Sequence, residues 1–102
     1  MPQYYNVTFH TVPAHQHQVL RYLRTQLIPT WLTYPHWHSP KLLQVETPEP
    51  NSVAFALQWE LAPKAQPFPF ELHSDPCITQ LVQALPGAVL PFDTTMTQLP
   101  LR

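Results

Sequence analysis

At 102 residues the chain is expected to form one domain over residues 1–102, able to bury roughly two thirds of the surface its unfolded form would expose. A net charge of −1, with five Lys/Arg scattered over Arg21, Arg24, Lys41, Lys64 and Arg102, supplies no basic stripe for nucleic acid or an anionic membrane. With Cys77 alone for thiol chemistry, no charged-then-apolar leader and no apolar run near the ~18 residues of a membrane span, the sequence predicts a reduced, soluble, cytoplasmic protein.

Fourteen prolines against one glycine punctuate the chain, each cluster marking where a regular element starts or stops. Tyr5, Val7 and Phe9 alternate with Asn6, Thr8 and His10, the period of two of a half-buried strand. A helix follows, with Thr11 as cap ahead of Pro13 and Val19, Leu20, Leu23, Leu27 and Trp31 as one apolar stripe. Pro29 cannot donate to the carbonyl four residues back, so a bend or a short second helical piece through Leu32 is expected, stopped by Pro35.

After the corner YPHWHSP, Tyr34 to Pro40, residues 41–47 read as a second strand. Pro48, Glu49, Pro50 and Asn51 close a hairpin onto the third, in which Val53, Phe55, Leu57, Trp59 and Leu61 alternate with Ala54, Ala56, Gln58, Glu60 and Ala62. Residues 63–72 fit neither period. A shorter helix then takes Ser74 or Asp75 as cap and Pro76 as its first position, with Ile78, Leu81, Val82 and Leu85 as its stripe, ended by Pro86 and Gly87. The last strand covers residues 88–99, with Pro91 predicting an edge position or a bulge.

Strand, helix, strand, strand, helix, strand is the ferredoxin-like split β-α-β order, an α+β fold with a four-stranded antiparallel sheet and both helices on one face. Tyr5-Asn6-Val7-Thr8 near the start, Ile28-Pro29 late in the first helix, Pro40 and Leu42 opening the second strand, Gln58 in the third, and the late Phe92, Thr94, Met96 and Leu99 are short motifs that together resemble a small bacterial domain-of-unknown-function family (DUF4286 type). Leu27 stands where members of that family often carry a histidine before Ile-Pro, which weakens any catalytic role for that position. The resemblance implies a domain similar to the dimeric α+β barrels, with no established activity, catalytic residue or cofactor to carry over.

If the helices cover the Tyr5, Val7, Phe9 and Trp59 side, the other sheet face displays Asn6, Thr8, His10, Ala54, Ala56, Gln58 and Glu60. These are small or polar, and only 11% of the chain is charged, so a second copy can cover the face at little desolvation cost. Asn6, Thr8, His10, Gln58 and Glu60 are therefore either interface or solvated-face polar groups, or the hydrogen-bonding lining of a small-molecule site. His10 with Glu60 is the one pair with general-base chemistry, a carboxylate orienting an imidazole. His15 and His17, two apart on a helix, cannot grip one ion together. His36 and His38, two apart in an extended segment, point the same way but lack a third ligand at a recognised spacing, and Trp37 between them reads as a lid on the core. Cys77 in a first helical turn is either a thiol of lowered pKa or a small core residue.

The sequence thus predicts a homodimeric binding or assembly module. The competing reading is a small cofactor-independent enzyme, an oxygenase or isomerase of the dimeric α+β barrel kind working between sheet and helices. A closed polar cavity above about 300 Å³ holding His10 or Gln58 would favour the enzyme, and a filled sheet face would favour assembly.

Overall fold

A computed structural model describes residues 1–63 and 70–102. Four strands, β1 (Gln3–Thr11), β2 (Trp37–Val45), β3 (Val53–Leu61) and β4 (Leu90–Thr97), form one antiparallel sheet in the order β2-β3-β1-β4. The fold is the ferredoxin-like arrangement that the element order predicts. The central strands are the two with the longest unbroken alternation, because only they are paired on both sides. Pro40 and Pro91 fall in the edge strands β2 and β4, where a missing N–H can face solvent.

Helix α1 (Gln16–Tyr22) runs through a π-helical stretch, Leu23–Leu27, into α2 (Ile28–Trp31). The π stretch sits immediately before Pro29 and is closed by the Ile28 N–H donating to the Leu23 carbonyl five residues back. It takes up the break that Pro29 imposes on the four-residue ladder, in place of a sharp kink. The fully buried residues of this layer, Val19, Leu23, Leu27 and Trp31, are spaced four apart. In a pure α-helix that spacing drifts by about 40° per step, and the wider π turn brings the four back onto one face. Thr11 is not the helix cap: it ends β1, and its hydroxyl donates to the Ala88 carbonyl at 2.7 Å. A single turn of 3₁₀ helix, Pro13–His15, starts the helical layer without a side-chain cap.

The second helix, α3 (Pro76–Ala84), is capped by Asp75, whose carboxylate accepts from the N–H groups of Cys77 and Ile78, while Gly87 takes the left-handed conformation after it, φ 72°. Of the stretch expected to be irregular, residues 64–69 lie outside the described residues, and Leu72–Ser74 form a 3₁₀ turn that carries His73.

The core lies between sheet and helices: Tyr5, Val7 and Phe9 of β1 with Val53, Phe55, Leu57, Trp59 and Leu61 of β3 below, and Val19, Leu23, Leu27, Trp31, Ile78 and Leu81 above. Both strands therefore turn toward the helices the face that alternation assigned. The second strand departs from expectation by starting at Trp37, four residues early. Ser39, at φ 54°, bulges out, and the register slips between His38 and Lys41, so the strand continues past Pro40 with Trp37 opposite Leu61 and His38 opposite Glu60. The corner YPHWHSP is thus half turn and half bulged strand.

Candidate functional site

The register sorts the sheet face turned away from the helices into four rows, each crossing β2, β3, β1 and β4. Val45–Ala54–His10–Leu90 and Leu43–Ala56–Thr8–Phe92 form one half, and Lys41–Gln58–Asn6–Thr94 and His38–Glu60–Tyr4–Met96 the other. All five sequence candidates, Asn6, Thr8, His10, Gln58 and Glu60, share this face, and pairing brings Asn6 opposite Gln58. The Asn6 side-chain amide donates to the Thr8 hydroxyl at 3.0 Å, so these two already partner each other along the strand.

The face is less uniformly small and polar than the central strands alone suggest. Leu43 and Val45 on β2, and Leu90, Phe92 and Met96 on β4, are exposed, Phe92 at 58% and Leu90 at 56%. Their signal was present as alternation in the edge strands, but which side they occupy is decided only by pairing. Apolar side chains flank the first two rows at both ends, and the charged Lys41 and Glu60 stand together in the other half.

His10 and Glu60 do not form a pair. His10 is opposite Ala54 while Glu60 is opposite Tyr4, six residues along the strand, or about 20 Å at ~3.3 Å per residue. His10 lies edge-on to Phe92 with ring centroids 5.6 Å apart. Glu60 meets His38 instead, Oε2 to Nδ1 3.9 Å, with both side chains about half exposed. His36 and His38 part company: His36 sits among Tyr34, Trp37 and Phe70, whereas His38 faces Glu60 and the Ser39 hydroxyl. Among the described residues, no three His, Cys, Asp or Glu side chains converge on a point where a metal ion would sit.

On the helix side, Trp37 is an interior residue and more than a lid. It stacks on Tyr5 at 5.4 Å and on Trp59 at 5.3 Å, lies 4.9 Å from both Trp31 and Phe70, and donates its indole N–H to the Trp31 carbonyl. In this aromatic cluster the buried Trp59 indole N–H has no hydrogen-bond partner among the described residues, which is uncommon for a buried donor. Beside the cluster lies a group that sequence reading reduced to a helix cap. Asp75, 5% exposed, also accepts from the Trp31 indole N–H at 3.0 Å and the Tyr34 hydroxyl at 2.9 Å.

Burial, and then the hydrogen bond to Asp75, push the Tyr34 phenol up to about 12. Burial and the hydrogen bond to Asp93 hold the Tyr5 phenol far above its ordinary range. Cys77 is buried, and desolvation raises its thiol pKa despite its place in the first helical turn. The lowered value that position suggests is overturned because the thiolate would have to form away from water.

Two hollows on the described surface border the candidate residues. The larger, about 470 Å³ and half open, lies at the His38–Glu60 end of the sheet and also involves Gln3 and Leu61. The smaller, about 120 Å³, lies at the opposite end beside His10 and Leu90. Neither is a closed polar cavity above 300 Å³ containing His10 or Gln58. No helix among the described residues is long and apolar enough to cross a membrane.

No curated protein matches the sequence. Among solved structures the chain is similar to Rv0793 from Mycobacterium tuberculosis, at 13% identity over 98% of this chain and 97% of that one, TM-score 0.59. It is similar to SnoaB, a cofactor-independent oxygenase from Streptomyces nogalater, at 16% identity over 98% and 96%, TM-score 0.55. It also resembles a monooxygenase from the gene ActVA-Orf6 of Streptomyces coelicolor, solved in complex with the ligand nanaomycin D, at 20% identity over 97% and 91%, TM-score 0.53. At such identities the likeness is one of fold, and it joins the strand order in placing the chain among ferredoxin-like α+β proteins. The Tyr5-Asn6-Val7-Thr8 strand, Ile28-Pro29 behind the π stretch and the Phe92 to Met96 edge all lie within residues 3–98, the span matched by the family model described as Domain of unknown function (DUF4286), and the chain belongs to that family.

Proposed function

We propose that the protein works as a homodimeric binding or assembly module in which two copies close their open sheet faces on each other. The observation that carries this reading is the apolar half of the face, where Leu43, Val45, Leu90 and Phe92 remain exposed around Ala54, Ala56 and Thr8. Four strands about 4.8 Å apart and some eight residues long make a footprint of roughly 19 by 25 Å. The apolar half is about half of that flat area, below the roughly 800 Å² per partner of a standard interface, so the contact belongs to the small class of interfaces. Lys41 and Glu60, the only Lys and Glu among the described residues of the face, have opposite signs and sit together at one end, so a two-fold packing of apolar half on apolar half brings no like charges together. Light scattering tests it: the wild type is expected to be a dimer, and Ala56→Glu, which sets a carboxylate against its symmetry mate between Leu43 and Thr8, a monomer. A wild type that is monomeric at high concentration sinks the reading.

A second reading rests on a different observation, the buried Trp59 N–H without a partner among the described residues. A buried donor with no partner among the described residues suits an enzyme that takes a flat aromatic substrate between sheet and helices, as a cofactor-independent oxygenase would. The similar folds of SnoaB and the ActVA-Orf6 monooxygenase support it as analogy. Its test is oxygen uptake with polycyclic phenols. Trp59→Phe keeps an aromatic ring and removes the donor, so it should abolish uptake in a folded protein. No uptake by the wild type with any member of such a panel removes this reading.

A further inference from the structure

The larger hollow lies at the polar end of the sheet, outside the apolar half assigned to dimerisation. One wall carries Glu60, whose only ion-pair partner among the described residues is His38, at a loose 3.9 Å. The rest of the lining is Met1, Pro2, Leu61, Ala62 and Pro63, with Gln3 between. At about 470 Å³ the hollow falls in the size range of small-molecule sites. A carboxylate whose one ion-pair contact among the described residues is a half-exposed imidazole, with prolines beside it, is chemically matched to a cation with an apolar body.

We propose that this hollow binds a small organic amine, its ammonium group taken by Glu60 and its apolar body laid against Pro2 and Pro63. Hydrogen-bonded charge pairing supplies the specificity, because an ammonium at 2.7–2.9 Å from a carboxylate is a stronger contact than the one His38 makes across the strands. An anion of the same shape meets Glu60 as a like charge and is rejected. The site is complete within one copy, so it stands apart from the dimer reading.

The test uses benzylamine as the probe and ¹⁵N-labelled full-length protein. Saturable shifts are expected at the amides of Gln3, Glu60, Leu61 and Ala62, with the amides of the Val45–Ala54–His10–Leu90 row unmoved. Benzoate should leave the spectrum unchanged. Glu60→Gln, an isosteric change at a half-exposed position, should weaken benzylamine about tenfold while leaving the remaining spectrum that of the wild type. Absence of saturable shifts, equal binding of benzoate, or unchanged affinity in Glu60→Gln would each overturn the proposal. A monomeric protein that still binds benzylamine refutes the dimer and leaves this site standing.

Discussion

Asp75 is the residue whose removal should be felt most for its size. Its carboxylate caps α3 through the Cys77 and Ile78 N–H groups and ties the end of α2 to that helix through the Trp31 indole and the Tyr34 hydroxyl. Asp75→Ala removes the cap, for about 1 kcal/mol, and strands the Trp31 N–H inside the core, for about 1–3 kcal/mol. Tyr34 is only half buried, so its hydroxyl can turn to water at little cost. The sum, about 3 kcal/mol, is a large share of the 5–15 kcal/mol typical of a folded domain. With a urea slope near 1.5 kcal/mol/M, the midpoint should fall by about 2 M, read by tryptophan fluorescence. Asp75→Asn keeps an acceptor oxygen for the N–H donors, and asparagine caps as well as aspartate, so it should cost about 1 kcal/mol. If Asp75→Ala costs no more than the ~0.5 kcal/mol of an ordinary surface change, the carboxylate does not hold the two helical layers together and the reasoning fails.

Trp59→Ala should cost about 3–5 kcal/mol, the range for deleting a buried aromatic, and an unchanged denaturant midpoint would show that the strand faces are reversed. His36→Ala combined with His38→Ala should cost about 1 kcal/mol or less, with a chelator leaving the thermal midpoint unmoved; a stoichiometric metal lost in that variant would make the two histidines ligands. Alkaline stability follows from Tyr34. Its phenol is raised from 10.0 to about 12 by burial and its Asp75 contact, so the unfolded chain loses this proton first and the folded state binds more protons between those values. The stabilisation is fully present below pH 10 and declines from pH 10 toward 12, and Tyr34→Phe should make that part of the profile less steep in a urea titration, the remaining decline coming from the raised phenols of Tyr5 and Tyr22.

Much of this protein was legible as periodicity. A period of two assigned the core faces of β1 and β3, because adjacent side chains on a strand must point to opposite sides whatever the strand pairs with. Proline and Asp75 marked helix ends by local chemistry, a missing N–H and a carboxylate within reach of the next two amides. The Val19, Leu23, Leu27, Trp31 spacing identified the buried stripe, although the π turn that keeps it on one face came from Pro29 acting on the ladder before it. The opening residues of β2 were missed because Pro40 reads locally as the start of a strand, and the bulge at Ser39 that carries the strand across it exists only against β3.

Everything that depends on pairing belonged to the tertiary structure. Alternation places Glu60 and His10 on one face, but their separation depends on register, and register put His38 beside the carboxylate. The same pairing lined up Leu43 with Phe92 across four strands and so made an apolar half of a face that the central strands presented as polar. Asp75 and Trp31 are 44 positions apart, with no local pattern to join them. The sequence by itself determined which side of each central strand is apolar, since that is a property of consecutive residues. Which residues meet was decided by chain crossings and strand register, which arise only when distant segments share one core.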